Sequence, residues 1–429
     1  VLKHATVNKN RLFSIDVSQA YLQAPLEREI YLSGENLPGC PPGKVVRVYR
    51  AIYGLVQSGF LWNRLLAEKI KAIGYRPTVA DSSVYIKKND QGMTLSIIGT
   101  YVDDILLSCG NSEYRILKAH LEGQFKITHM EKVTQFVGIQ IFRPNPIGNI
   151  MICQTTYIEQ MCKTFGLQDC NPAPTPMVVG HGLSLEQAPK TESEKKRARK
   201  LKYPNIIGAL LYAARYTRPD ISFPVSFLAR YMADGRHGEA HLRAAKRVLR
   251  YLKGTRYLAL IIDDSPMVLT AVVDADDGGC KDTLRSTYGL VFKLGNSWMG
   301  WISKRQNFAK LSSCESEAVA ILEGVLWVIW TRELLRETNY PQRQTTVYND
   351  NKAAILLCYK RPKQHSRTKH IPRRLAFLRE RVTTGEYCPK YIPTDDNIAD
   401  LFTKPLGPTR FNFLRKMIPF CDTRKIVMR

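Results

Sequence analysis

Asp103 and Asp104 stand side by side in Thr100-Tyr101-Val102-Asp103-Asp104-Ile105-Leu106-Leu107, between apolar residues that favour strands. Side chains alternate along a strand, so neighbouring aspartates face one way only where the chain turns. The stretch therefore reads as a β-hairpin with Val102-Asp103-Asp104 at or near its tip. Acid carried on a buried hairpin is costly unless a cation or partner faces it. Mg2+ suits such a place, because it binds through one or two carboxylates together with substrate phosphates. A turn that uses Asp only for its backbone fit is the other reading of a bare Asp-Asp pair. A third carboxylate, Asp16, falls near the end of the apolar run Leu12 to Val17, which reads as a buried strand. Alone, Asp16 is more often a helix cap. With Asp103 and Asp104 it makes three acids at strand ends, enough to hold two metal ions for an in-line displacement at phosphorus.

Two further side chains have positions that suit nucleotide chemistry. Tyr21, five residues after Asp16, could press its ring on the sugar of an incoming nucleotide and exclude a 2′-hydroxyl. The same spacing fits a core aromatic under the sheet equally well. Gln57 falls near the start of an amphipathic helix that follows a strand in residues 46–62, where it could touch a template–nucleotide pair. On position alone, an exposed helical glutamine without a role fits better.

The elements that must carry these groups follow from pattern. A helical turn through Ala20-Tyr21-Leu22 stops at Pro25, a helix spans Glu113–Phe125, and Phe136–Ile141 reads as one strand. Residues 178–202 are polar and end in Lys195-Lys196-Arg197-Ala198-Arg199-Lys200, a flexible basic linker or a solvated helix face that meets phosphates. Residues 203–262 read as helical and basic, with Leu242, Ala245, Val248, Leu249 and Leu252 on one apolar face. From 268 the pattern changes to strands over 268–276, Ser286–Leu294 and Trp298–Lys304. A long helix then starts near Ser312-Ser313 with a capping serine and runs to Leu335. Beyond it come the strand Thr345–Tyr348, the helices Lys352–Cys358 and His370–Val382, and the strand Tyr387–Ile392.

A chain of 429 residues has room for two or three cores. Its 63 Lys+Arg against 38 Asp+Glu leave a net charge of +25, which points to a polyanionic partner, nucleic acid first. None of the ten cysteines forms a CxxC or a zinc-ligand spacing with histidine, so the thiols read as reduced and intracellular. No run approaches the roughly 18 apolar residues of a membrane span, and no signal peptide is visible. The chain opens at Val1 in mid-sequence character and reads as a piece of a longer polypeptide.

The strings Ile15-Asp16-Val17 with Ala20-Tyr21-Leu22, Ile52-Tyr53-Gly54-Leu55-Val56-Gln57-Ser58 and Tyr101-Val102-Asp103-Asp104, in this order, resemble the reverse transcriptase of copia-type LTR retrotransposons. The resemblance implies a right-hand polymerase palm with catalytic metal ligands at Asp16, Asp103 and Asp104. It places Tyr21 at the sugar-gating position and Gln57 in the nucleotide-side helix. It also implies a primer-contacting hairpin at Phe136–Ile141, a thumb segment from Cys153 to Met177, and a helical connection. The family's fingers segment, which grips the triphosphate, should precede Asp16 by far more than fifteen residues.

The later order of strands and helices, with acids at strand ends or a helix start, resembles a ribonuclease H domain. Matching positions imply that Asp274, Glu317, Asp350 and Asp400 are its catalytic, metal-binding carboxylates. Singly, each such acid is more often a cap or a solvated residue; four in the family's order point to metal. Glu315 rivals Glu317, which is preferred because Ala318-Val319-Ala320-Ile321 after it matches the family's helix register. Thr368-Lys369-His370-Ile371 and Ala399-Asp400-Leu401-Phe402-Thr403-Lys404-Pro405-Leu406 make the copia likeness specific. Asp277 stands where the family commonly has Trp, and Pro372 and Ala376 also depart from its usual residues.

The expectations are therefore these. The fold class is α/β: an α+β palm of a right-hand polymerase, then a ribonuclease H-like mixed sheet with helices. Palm and thumb take residues 1–177, a basic linker 178–202, the connection 203–265, the nuclease 266–410 and a basic tail 411–429. The resemblance implies RNA-directed DNA polymerase and ribonuclease H activity with Mg2+, or Mn2+, as cofactor. Implied partners are an RNA template, a DNA primer, the RNA/DNA hybrid, deoxynucleoside triphosphates, and the integrase and capsid parts of the same polyprotein. No membrane is involved, and the setting is intracellular, in a cytoplasmic particle or the nucleus. The competing expectation is a catalytically decayed fragment that binds nucleic acid, weakened steeply by salt and without metal-dependent turnover.

Overall fold

Phe13, Ile15 and Val17 alternate with Leu12, Ser14 and Asp16 along the strand Arg11–Val17, and that alternation decides what each face of its sheet can do. The computed structural model describes every residue except 42, 310–311, 361–371 and 428–429. The chain divides into two compact units, one made of residues 1–137, 143–148 and 336–339 and the other of the remainder.

In the first unit an antiparallel sheet runs in the order Arg76–Pro77, Val84–Lys88, Thr94–Tyr101, Asp104–Cys109, Arg11–Val17, Ile127–Met130. Phe13, Ile15, Val17, Ile98, Ile105 and Leu107 turn to one face. They bury against Leu61, Trp62, Leu66 and Ile70 of the helix Ser58–Lys71 and Leu117 and Leu121 of the helix Asn111–Glu122. Each such side chain contributes about 1.5–3 kcal/mol of burial. Asp16 and Asp104 are thereby left to the opposite face.

The second unit holds two sheets. In one, Phe420–Asp422, Leu258–Ile262, Ile150–Cys153 and Ile139–Phe142 lie side by side. The last residues of the stretch expected to be helical to 262 are thus a strand, paired with Ile150–Cys153 on one side and Phe420–Asp422 on the other. The strand expected over Phe136–Ile141 is likewise broken, into Gln135–Phe136 and Ile139–Phe142, by left-handed Val137 and Gly138 (φ 46° and 72°). A Cβ on Gly138 would come within 2.7 Å of the Tyr212 hydroxyl, so that turn requires glycine.

The other sheet runs Ser297–Arg305, Thr287–Leu294, Leu269–Ala275, Thr345–Asn349, Tyr387–Tyr391. Its first three strands are antiparallel, and the last two join in parallel. This is the mixed sheet with helices that the ribonuclease H resemblance implied, and the chain as a whole is α/β. The helix Ser313–Glu337 covers one face, packing Ala318, Ile321, Val325 and Val328 on Ala271, Val273 and Leu290. Through Val272, Val291 and Trp298 the other face shares a core with Ile207, Leu210, Leu249 and Leu252 of the helices Tyr203–Tyr216 and Glu239–Gly254. The basic run 195–200 sits in the helix Glu192–Lys200, whose start is closed by reciprocal Thr191 and Glu194 bonds. After Leu406 the chain continues in the helix Pro408–Lys416, which buries Phe411 and Leu414. The string Thr368-Lys369-His370-Ile371 lies outside the described residues, and the helix expected from His370 is described over Pro372–Thr383. No helix among the described residues is long and apolar enough to cross a membrane.

One ion pair in this core is wholly enclosed. Arg218 donates from Nε and Nη2 to the two Asp220 oxygens at 3.0 and 2.7 Å, and from Nη1 to the Thr255 carbonyl at 3.1 Å. The Tyr251 hydroxyl donates to Asp220 at 2.5 Å. Removing one member leaves an uncompensated buried charge. Asp220→Ala should therefore cost about 3–5 kcal/mol in urea unfolding; a loss within experimental error would show that the pair is not sealed from water.

Candidate active sites on clustered carboxylates

In the first unit, antiparallel pairing sets Asp16 directly across from Asp104. The hairpin between Thr94–Tyr101 and Asp104–Cys109 closes with Tyr101 opposite Asp104 and Val102 in a left-handed conformation, φ 57°. Such a conformation costs a branched residue of order 1–3 kcal/mol and persists only when its surroundings hold it. Here the buried Trp62 indole donates to the Val102 carbonyl at 2.6 Å, and Val17 N–H donates to the Asp103 carbonyl at 3.0 Å. Burial, then the charges of Asp103 and Asp16, raise the Asp104 carboxyl above its ordinary range. Asp16 accepts a 3.4 Å hydrogen bond from the Thr128 hydroxyl.

Tyr21 is half-buried against the core, and its ring lies 4.6 Å from that of exposed Tyr53. Partial desolvation, then the charges of Asp103, Tyr21 and Asp16, raise the Tyr53 hydroxyl above its usual range. Tyr53 and Trp62 went unassigned in the sequence reading. Tyr53 lies inside a string that was singled out and Trp62 just beyond it, but only the fold brings the Trp62 indole to the turn and the Tyr53 ring to Tyr21. Gln57 caps the helix Ser58–Lys71 by position, half-buried and without a side-chain cap hydrogen bond.

The second unit gathers acids more tightly. Asp274 is in Leu269–Ala275, and Asp350 directly follows the parallel strand Thr345–Asn349. The register pairs Val272 with Tyr348, so its continuation sets Asp274 level with Asp350. Glu317, in the first turns of Ser313–Glu337, completes a group whose ligand oxygens all lie within 4.8 Å of one another. Ser312 caps that helix by accepting from Glu315 N–H at 3.3 Å. Among the described residues this is the group of three or more candidate metal ligands, and it contains Glu317 rather than Glu315. Asp16, Asp103 and Asp104 do not form such a group, and Asp400 lies outside the one in the second unit.

Neighbours aim these side chains. Buried Asn349 donates from Nδ2 to Glu317 at 2.8 Å and to the Val273 carbonyl at 3.1 Å. Asp274 accepts from Asn397 Nδ2 at 3.2 Å and from the Thr403 hydroxyl at 2.7 Å. That approach depends on Gly289, the partner of Asp274 in the adjacent strand. A Cβ there would meet Phe402 Cβ at 2.5 Å and the Ala399 carbonyl at 2.9 Å. Asp400, in the turn Ile398–Phe402, is buried and paired with Lys404 and Arg410. Asn349, Asn397, Thr403, Lys404 and Arg410 carried no role in the sequence reading. The one signal for the first four is that each lies within four residues of a proposed ligand.

Burial first, then Asp400, pushes the Asp274 carboxyl well above the ordinary range, with Lys404 and Thr403 opposing. Burial, then Asp274, does the same to Glu317, opposed by Asn349. Three clustered carboxylates are hard oxygen donors, a set that fits Mg2+ or Mn2+ rather than a softer ion.

Residues 1–179 match the family model described as reverse transcriptase (RNA-dependent DNA polymerase). The chain is 31% identical over 94% of its length to the retrovirus-related Pol polyprotein from transposon TNT 1-94 of Nicotiana tabacum, of which the match covers 30%. It is 30% identical over 73% of its length to a putative transposon Ty5-1 protein of Saccharomyces cerevisiae, of which it covers 99%. It spans under a third of the Pol polyproteins from transposons TNT 1-94, RE1 and RE2. Among solved structures, that of LC11-RNase H1 in complex with an RNA/DNA hybrid aligns with 32% of the chain and 93% of that protein, at 11% identity and a TM-score of 0.24.

Two outcomes follow for the second-unit site. Asp274 and Glu317 bind protons more tightly folded than unfolded. Their contribution is complete below the ordinary carboxylate range and lost as pH rises through the raised values. Without divalent cations, the melting temperature should fall between about pH 5 and about pH 8, and Mn2+ should restore it more at the higher pH. A flat profile, or a slope equally steep in Asp274→Asn, would contradict the burial of these charges. Asn349→Ala should weaken Mn2+ binding about 10–100-fold while the circular dichroism stays native.

Proposed function

The chain belongs to the reverse transcriptase region of copia-type retrotransposon Pol polyproteins, and we propose that its first unit copies RNA into DNA while its second cleaves the RNA strand of the resulting hybrid. The observation that carries this reading is the group Asp274, Glu317 and Asp350 at the head of two parallel strands, in a sheet of ribonuclease H-like order. The net charge of +25 supports a duplex partner held by its phosphates. The donor sets suit divalent cations, which when bound supply charge neutralisation of the attacking and leaving oxygens in an in-line displacement.

The chain's own residues do the positioning. In the second unit, Asn397 and Thr403 fix the rotamer of Asp274, and Asn349 fixes Glu317. The carboxylates are thus oriented before substrate arrives, and little reorganisation is left for the reaction itself. Asp274, Glu317 and Asp350 would hold the first cation, and Asp400 stands beside them for the second. In the first unit, Asp16 and Asp104 face each other across one strand pair, with Asp103 at the turn, and would hold the cations there. The primer 3′-oxygen would attack the nucleotide α-phosphorus over this end of the sheet, breaking its bond to the β-phosphate and releasing pyrophosphate. Tyr21, whose ring packs on that of Tyr53, would exclude a 2′-hydroxyl from the sugar site. Gln57, at the start of the following helix, would meet the template–nucleotide pair.

The test is Mg2+-dependent cleavage of a labelled RNA–DNA hybrid by this chain beside Asp350→Asn. Cleavage should fall by more than about 100-fold in the variant, beyond the 10–100-fold that loss of a supporting group costs. Salt-sensitive hybrid binding with no cleavage by either protein would leave a nucleic-acid binder without nuclease activity.

A further inference from the structure

The nuclease reading treats four acids as one ligand set, but their geometry separates one from the rest. Asp274, Glu317 and Asp350 bring their oxygens within 4.8 Å of one another, and Asp400 is not among them. Asp400 is 3% exposed, and both its oxygens face cations of this chain. Lys404 Nζ lies 2.5 Å from Oδ1, and Arg410 Nη2 lies 3.0 Å from Oδ2.

The two cations differ in what else they touch. Arg410 also donates to the carbonyls of Thr394 and Asp395, at 2.7 and 2.5 Å, which makes it a clip that ties Asp400 to the preceding backbone. Lys404 reaches Asp400 from four residues on, across the turn Ile398–Phe402. It therefore holds a positive charge of the chain itself on Asp400. Beside it, Thr403 spans to Asp274, so consecutive residues of one turn hold the two carboxylates that a second cation would share.

An ammonium and a divalent ion need the same oxygens, and at a few ångströms in a poorly solvated site they repel strongly. We propose that Lys404 is a tethered cation on the Asp400 side of the nuclease site. One divalent ion then binds on Asp274, Glu317 and Asp350, and a second binds only by displacing Lys404 from Asp400. This rests on the nuclease reading above. Lys404 is thus a positioning residue. It keeps Asp400 neutralised and aimed, and a substrate phosphodiester offers the alternative partner that a released ammonium needs. Release of Lys404, and with it entry of the second ion, is thereby coupled to the presence of substrate. A mere ion pair would instead add stability and leave the number of bound ions alone.

The experiment counts ions. Mn2+ is titrated into the full chain carrying Asp16→Asn, Asp103→Asn and Asp104→Asn, which silences the first unit, and free Mn2+ is read by electron paramagnetic resonance. The parent should bind one ion, lost on Asp274→Asn. Adding Lys404→Met or Lys404→Gln should bring a second ion into range, its affinity raised about tenfold or more. Unchanged stoichiometry and affinity in both Lys404 variants would overturn the proposal and leave the nuclease site intact. Unchanged binding in Asp274→Asn would overturn the nuclease reading itself. A readout without a Lys404 variant covers misfolding: acylation of Lys404 in the otherwise native chain should rise several-fold between Mn2+ levels that fill the first site and levels that saturate the second. Constant acylation would likewise refute displacement.

Discussion

The parallel ladder between Leu269–Ala275 and Thr345–Asn349 fixes where charge accumulates in the second unit, because continuing its register brings Asp274 level with Asp350. The evenly spaced hydrogen bonds of a parallel pair hold its register, so acids near the ends of two such strands have little freedom to move apart. Glu317 then arrives from a helix packed across the same strands. Gly324 lets that helix come close, since a Cβ there would sit 2.6 Å from Val273 Cγ1. The remainder of the unit can be read as support for an arrangement that carboxylates alone would oppose.

That support is polar and comes from far along the chain. Thr403 and Asn397 reach Asp274 across 129 and 123 residues, and Asn349 bonds both Glu317 and the backbone of the neighbouring strand. Each bond to an ionised carboxylate contributes about 1.5–3 kcal/mol, set against the crowding of like charge. Raised proton affinity at Asp274 and Glu317 shows that crowding and burial still win. A site in this condition favours cations, and the chain places one of its own, Lys404, at the margin. In the first unit the same problem is met more openly. One antiparallel pair sets Asp16 across from Asp104, and a strained turn held by Trp62 presents Asp103. These acids are less enclosed, and they do not converge as the second group does.

Much of this was legible because acids interrupt apolar runs. Asp16 ends a strand, Asp103-Asp104 breaks a hairpin, Asp274 closes a strand, and Glu317 follows a capping serine; each is a local departure from periodicity. The break at Val137 and Gly138 was not legible, because a valine in a left-handed turn carries no local signal. Nor was the strand Leu258–Ile262, whose apolar run continues directly from a helix. Its conformation is set by Ile150–Cys153 and Phe420–Asp422, which pair with it from either side.

By itself the sequence determined which residues bear charge, that acids fall at strand ends, and that the chain carries a net charge of +25. Those are properties of a few neighbouring residues and of composition. Only the tertiary structure decided which acids converge. It joined Asp274, Glu317 and Asp350, set Asp400 apart on Lys404 and Arg410, and enlisted Asn349, Asn397 and Thr403 as supports. The reason is physical. Periodicity and capping act over a turn or a strand, whereas the charge state and reach of a carboxylate depend on burial and on partners that, for Asp274, come from 123 and 129 residues away.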